Sequence, residues 1–410
     1  TITYTYDNLN RVSVKTVPAS ITGVPGYTVN SGYDVQGLQL YARFSSATGL
    51  GVTNTYDAFG RLRVSSTNVD GTARTVLSDY DPHGNRTKIT HPGGTFFVSQ
   101  YDAADQMYDL SENGSTTLAG ISFDEFHRRT RIDRDTTGAS TLYGYLPAEI
   151  SRLRSITQNL DGNGSANDLV IGFGYNPANQ IAARFQDNAV YEYPLTSANS
   201  VYAPANGRNQ YTQITGTGAA SPVWDGNGNM TSDGLTSGST TFAYDAENHL
   251  TGASGAKNAT LSYDPLGRLY QVTSAGVTTR FLYDGDRLIM EYNTAGTVLR
   301  RYVHGAGVDE PLVWYEGAAV SSVTRRYLHA NHQGSIIAVT GPTGAKIQVN
   351  VYDAYGNTTS ANTGRFQYTG QTAIREIGLY YYKARFYNPS LGQFMQTDPI
   401  GYEDNLNLYL

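Results

Sequence analysis

The chain has 410 residues, with 44 Gly, 33 Tyr and no Cys; 39% of residues are hydrophobic and 16% charged. Disulfides and thiolate metal sites are therefore excluded, and a net charge of -6 without any Lys/Arg block argues against nucleic-acid binding, which needs clustered positive charge to displace counterions. No apolar run approaches the roughly 20 residues of a membrane-spanning helix, and no signal peptide opens the chain.

A Tyr-Asp pair, followed by Gly and then Arg or Asn, recurs along the chain. It begins as Tyr6-Asp7 with Arg11, so the opening residues already lie inside a copy, as expected of a fragment cut from something longer. A looser stretch, 17–30, carries Pro18, Pro25 and several Gly. Regular copies follow at Tyr56-Asp57 with Gly60-Arg61, Tyr80-Asp81 with Gly84-Asn85-Arg86, and Tyr101-Asp102. Phe123-Asp124 and Tyr175-Asn176 are degenerate copies; between them 146–170 is longer, and 146–153 is expected to hold a short helical turn. After an irregular stretch, 187–222, the copies resume at Trp224-Asp225 with Gly228-Asn229, Tyr244-Asp245, Tyr263-Asp264 with Gly267-Arg268, Tyr283-Asp284, and Tyr352-Asp353 with Gly356-Asn357. Several neighbours lie about 20 residues apart, the spacing of a tandem array.

One copy shows the physical unit. Leu261 and Tyr263 alternate with Ser262, and Leu269 resumes the alternation beyond the turn, as in a strand with one apolar face. Between them Asp264 can bond amides two residues on, Pro265 sets φ, and Gly267 supplies a positive φ. Each unit is thus expected to be a β-hairpin, and successive units to extend an antiparallel sheet, with the irregular stretches as long hairpin loops. Tyr suits a sheet with one wet face, because its ring packs while its hydroxyl reaches a polar partner. A structural role for the tyrosines and a sugar-stacking surface both fit this pattern.

Few segments outside the array carry chemistry. His329 and His332 have a spacing that admits a metal, but in a strand they would face opposite sides without a third ligand nearby, and a turn-stabilising role is the simpler reading. The loops 225–229 and 161–165 are rich in Asp, Gly and Asn; both lack the Gly at position six and the Glu at position twelve of a calcium loop. No P-loop and no Gly-x-Ser-x-Gly element occurs, and a Cys nucleophile is impossible. No cofactor is expected.

The Tyr-Asp hairpins resemble the RHS/YD-repeat family, and two segments sharpen the likeness. Tyr327-Leu328-His329-Ala330-Asn331-His332-Gln333-Gly334-Ser335 resembles the His-x-x-His-x-Gly-Ser element of bacterial RHS proteins. Gly378-Leu379-Tyr380-Tyr381 through Ala384-Arg385-Phe386-Tyr387-Asn388-Pro389, then Gly392-Gln393-Phe394 and Asp398-Pro399-Ile400-Gly401, is similar to the RHS-associated core, which Asn405-Leu406-Asn407-Leu408-Tyr409 continues. The resemblance implies an all-β fold: YD-repeat hairpins in one long antiparallel sheet that spirals into a hollow shell, complete or incomplete here. It divides the chain into a shell, 1–360, and a core segment, 361–410, that plugs one end.

In bacterial members of this type the shell holds a variable C-terminal toxin domain, and the core works as an aspartyl autoprotease that frees it. Related shells, those of the teneurins, serve cell adhesion. The resemblance therefore implies an exported protein, secreted or at the cell surface. Its partners would be a toxin domain in cis and a delivery apparatus or cell-surface receptor, with no nucleic acid and no membrane span. The alternative function is an extracellular adhesion or glycan-binding module. Asp398 is the catalytic residue implied, acting with a second carboxylate from a second Asp-Pro-x-Gly. That motif does not occur before Leu410, Asn388 and Gln393 depart from the usual Asp and Arg, and Tyr402-Glu403-Asp404 replaces the usual Leu-x-Gly run. Because two carboxylates must share one proton for this chemistry, the chain is expected not to cut itself. Asp404 is the one substitute partner that the sequence offers.

Overall fold

In the computed structural model of the chain, which describes every residue except 21–22, 135–137, 148–150, 163, 195–198, 404–405 and 410, Asp57 shows how a unit closes. Its N–H donates to Arg61 O at 2.9 Å, and its carbonyl accepts from Gly60 N at 3.0 Å. Oδ1 accepts the amides of Phe59 and Arg61, both at 2.9 Å, while Oδ2 accepts Arg61 Nε at 2.7 Å. One carboxylate thus satisfies two amides that the turn leaves bare and neutralises the arginine it faces. The same clamp forms at Asp7 with Arg11, Asp124 with Arg128 and Asp264 with Arg268. Where Asn replaces Arg, as at Asn85, Asn229 and Asn357, its amide donates to Oδ2 of Asp81, Asp225 and Asp353.

Gly60 and Gly267 take φ of 77° and 79°, where a Cβ is costly; copies without Gly place Asn10, Asp105, His127 or Asn248 there at 58–64°. Asn and Asp tolerate this region best among side-chain-bearing residues, so a turn closes without its glycine.

In most units the tyrosine joins the unit to the one before. Its hydroxyl donates to the carbonyl just past the preceding turn: Tyr56 to Gln39 at 2.9 Å, Tyr101 to Arg86 at 3.1 Å, Tyr263 to Leu250 and Tyr283 to Leu269 at 2.7 Å, and Tyr352 to Ile336 at 2.8 Å. The Arg of the preceding clamp covers the same ring, at 4.8 Å for Arg11 on Tyr33, 4.5 Å for Arg128 on Tyr145 and 5.3 Å for Arg268 on Tyr283. Beside each tyrosine the register slips by one residue: Thr55 faces Val64 but Tyr56 faces Leu62, and Ser262 faces Gln271 but Tyr263 faces Leu269. Such bulges add right-handed twist at the turn end of the hairpin.

Among the described residues the strand pairs whose register is seen are antiparallel and join sequence neighbours. One sheet has 16 strands, from Thr3–Tyr6 to Ile181–Gln186, and another has 13, from Val223–Trp224 to Lys346–Val349. Among the described residues neither closes into a barrel. The ribbon is thus carried by two long sheets, and the interruption falls in the irregular 187–222 stretch. That stretch holds a short 3-10 helix, Ala189–Tyr191, and a two-stranded sheet of Ser200–Tyr202 with Ile214–Gly216. A four-stranded sheet follows the second long one: Thr372–Ile374, Leu379–Tyr381, Phe386–Asn388 and Gln393–Phe394. The helical turn expected at 146–153 falls partly outside the described residues.

The chain forms two compact units: Thr1–Val76 with Leu195–Thr297 and Thr372–Leu410, and Leu77–Pro194 with Val298–Gln371. In the first, Asp70 accepts from Arg74 at 2.9 Å and Arg280 at 2.7 Å, and Glu247 accepts from Lys15 at 2.7 Å and from the Tyr27 hydroxyl at 2.5 Å. In the second, Phe97, Leu110, Leu118 and Ile132 pack with Val313, Tyr315 and Tyr327, and Ile156, Leu169 and Ile171 pack with Ile337 and Val349. Glu112 lies in this second unit, bonded at 2.7 Å to both Tyr315 and Arg325.

Replacing Tyr263 with Phe removes only the hydroxyl and leaves the Leu250 carbonyl unpaired. Urea unfolding is expected to show a loss of about 1–2 kcal/mol. Tyr4→Phe, at an exposed tyrosine, should change stability by less than about 0.5 kcal/mol; equal losses at the two positions would refute the linking role.

Candidate functional site

The part of the expected core segment from Thr372 to Leu410 belongs to the first unit. Met395 O accepts the amide of Met230 at 2.8 Å, and Tyr381 Oη accepts the amide of Leu269 at 3.0 Å, so the segment is bonded to strands of the repeat array. Asp398 opens a turn of the kind described above: Gly401 N–H donates to its carbonyl at 3.0 Å and Ile400 N–H to its Oδ1 at 3.0 Å. Its own N–H donates to Leu408 O at 2.9 Å. The guanidinium on Oδ2 comes from elsewhere: Arg385 Nη2 donates to it at 2.6 Å, with both side chains nearly buried. Arg385 Nη1 also reaches Leu408 O at 3.1 Å, and its guanidinium lies 3.9 Å from the centre of the Phe394 ring.

The end of the segment is anchored by Tyr409, which is 2% exposed. Its hydroxyl accepts from Gln210 Nε2 at 2.7 Å and donates to Gly228 O at 2.9 Å, and its ring meets Trp224 edge-on at 4.7 Å. Gly228 has φ of 90°, and a Cβ there would stand 2.8 Å from Tyr409 Oη, so the approach requires glycine. Asp398 and Arg385 are therefore brought together with Leu408, next to the anchored Tyr409. The implied partner Asp404 lies outside the described residues. What faces Asp398 in the described structure is a cation, whereas proton sharing would need a second carboxylate in that place.

The remaining candidates have structural partners. His329 is fully buried in the second unit, with Nδ1 3.2 Å from Gln158 Oε1 and Nε2 3.1 Å from Thr340 Oγ1. Burial, reinforced by the Arg134 charge, holds its pKa well below the ordinary value. His332 lies in the following turn and packs on Phe173 at 4.8 Å; burial and Arg184 push its pKa down to about 4. That turn is a clamp with Asn331 in the aspartate's place, its Oδ1 accepting from Gln333 at 2.9 Å and Ser335 at 3.0 Å. In the 225–229 loop both oxygens of Asp225 are used by the turn. In the 161–165 loop Asp161 accepts from Lys346 N at 2.6 Å and Asn167 Nδ2 at 2.8 Å, and Asn163 lies outside the described residues. Among the described residues no three His, Asp or Glu groups come together as metal ligands do.

Sequence reading missed a unit at Tyr33-Asp34 with Gly37, which forms the tyrosine bond and both amide bonds to Asp34 Oδ1, with Leu38 in the place of the Arg or Asn. Its Tyr-Asp-x-x-Gly signal is plain, but it adjoins the stretch read as irregular. Trp224 was legible as a degenerate copy but not as an equivalent one. Its indole N–H donates to Tyr211 O at 3.1 Å, the bond a tyrosine hydroxyl makes elsewhere. In the sequence Arg385 is one residue of a longer motif, with nothing to mark it as the residue facing Asp398.

Neutral histidines, His91 buried and His332 half-buried, set a pH dependence. His91 is pushed down to about 3 by burial and the charges of Arg301, His304 and Arg86, and His332 to about 4, from 6.5. The unfolded chain then binds protons more readily than the folded one, so stability is full above about pH 6.5 and falls as pH drops toward 4 and 3. In acid-unfolding curves His332→Phe should reduce this loss between pH 6 and 4; an unchanged curve would refute the assignment.

Known proteins share these features. Residues 209–408 match the family model described as Teneurin YD-shell, and residues 56–95 match RHS Repeat. The chain is 33% identical over 215 residues to the tRNA nuclease WapA of Bacillus subtilis, a match covering 50% of this chain and 9% of that protein. It is 27% identical over 204 residues to the double-stranded DNA deaminase toxin A of Burkholderia cenocepacia, covering 41% of this chain and 14% of that protein. Its fold matches the crystal structure of TcdB2-TccC3-Cdc42 with a TM-score of 0.65 at 16% identity, covering 100% of this chain and 27% of that one. The chain thus spans a small part of the length of each protein it matches.

Proposed function

The chain belongs to the RHS/YD-repeat family, and on that premise we propose that it is part of an encapsulating β-shell that holds a C-terminal toxin domain and releases it by aspartyl autoproteolysis once a second carboxylate joins Asp398. Residues 1–360 form the wall and 361–410 the core segment. Confinement is the mechanism: a wall of hydrogen-bonded sheets keeps the toxin domain away from the producing cell until the cut is made. The matched stretches of the nuclease and the deaminase toxin are small parts of those proteins, and the reading gives this stretch the carrier's role while their named chemistries belong elsewhere. The protein acts outside the producing cell, with a delivery apparatus or a cell-surface receptor as its external partner.

The observation that carries the reading is the docking of the core segment: Asp398 is held by Arg385 beside Leu408, with Tyr409 enclosed between Trp224, Gln210 and Gly228. A carboxylate held close to Leu408 and Tyr409 supports this reading. In this state its Oδ2 is occupied by a guanidinium, so proton transfer with a second carboxylate does not operate.

Purified chain incubated for days should keep its intact mass. A discrete truncation that disappears in Asp398→Asn would contradict the assignment of the cut to a two-carboxylate site.

A further inference from the structure

The turn at 91–95 in the second unit keeps the backbone of its sister turns without their carboxylate. His91 N–H donates to Thr95 O at 2.8 Å and Gly94 N–H to His91 O at 3.1 Å, as at Asp57. The leading residue is histidine, so the anionic centre of the clamp is missing. Its imidazole is 2% exposed, lies edge-on to Phe97 at 5.1 Å, and leaves Nδ1 without a partner.

The arginine is nevertheless present, delivered from the distant strand Val298–His304. Arg301 Nη2 donates to Pro92 O at 3.0 Å. Arg301 is 5% exposed, and its Nε and Nη1 have no hydrogen-bond partner. No carboxylate pairs with it among the described residues, and burial pushes its pKa down with no acidic group opposing that shift. A guanidinium does not shed its proton in a protein, and a buried positive charge with unmet donors is costly unless an anion meets it. Gly93, exposed at the tip of the turn with φ of 91°, has no side chain over the guanidinium; an added Cβ would stand 3.5 Å from Nη2.

We propose that this niche binds a small carboxylate-type anion on Arg301 Nε and Nη1, beneath the 91–95 turn, in the role that the aspartate side chain plays in the sister turns. The anion comes from solution past Gly93, and once bound it is enclosed. The site ties the turn to the Val298–His304 strand, so its occupancy adjusts the stability of the second unit.

The test titrates the whole chain with sodium formate at constant ionic strength, reading the thermal-unfolding midpoint and a calorimetric Kd. A saturable rise of the midpoint with one-to-one binding is expected. Arg301→Met should weaken Kd by at least about tenfold, the worth of one charged hydrogen bond. His91→Asp carries its own carboxylate into the turn; it should raise the midpoint without formate and abolish the formate response. No saturable response in the unmodified chain would overturn the site, with a water then meeting Arg301. A response that survives unchanged in either variant would overturn it equally.

Discussion

The structure depends on one carboxylate doing three things in each turn. Asp264, for example, accepts the amides of Leu266 and Arg268 and the guanidinium of Arg268, and so closes the hairpin without help from neighbouring units. The clamp also sets the position of the next carbonyl, Leu269 O, which receives the hydroxyl of Tyr283 from the following unit. The linkage is therefore directional: each turn must be formed to present the acceptor on which the next unit docks. This agrees with sheets that run in sequence order, because the tyrosine bonds of the repeat reach back to the previous hairpin.

The candidate site uses the same local chemistry for a different end. Asp398 keeps the turn bonds of a repeat aspartate, but its guanidinium comes from Arg385 on another segment. In a repeat clamp the carboxylate and its guanidinium lie within five residues of one another. The Asp398 clamp joins two stretches of the core segment, so a change in one is felt at the carboxylate. The turn at His91 is a second departure: there the guanidinium comes from afar and the carboxylate is absent. Both departures arise where one partner of the clamp has been moved out of the repeat.

Much of the fold was legible because its signals are local. Asp followed by Gly or Asn, with alternating residues on either side, specifies a hairpin without reference to the rest of the chain. What escaped depends on residues far apart in sequence. Nothing near Arg385 marks it as the partner of Asp398, and nothing near Arg301 marks it as the guanidinium under Pro92. The division of the ribbon into two long sheets follows from the 187–222 stretch, whose irregularity was visible but whose short separate sheet was not. Trp224 shows the opposite case: the residue type changed, while the donor and its carbonyl acceptor were kept.

The central claim is that the aspartate clamp of one unit creates the docking point for the tyrosine of the next. A double-mutant cycle of Asp264→Ala and Tyr283→Phe in urea unfolding tests it most directly. The account predicts a double loss smaller than the sum of the single losses by about 1 kcal/mol, because the hydroxyl is worth little once its acceptor is no longer held in place. Strictly additive losses would mean that the two bonds form independently and would contradict the account.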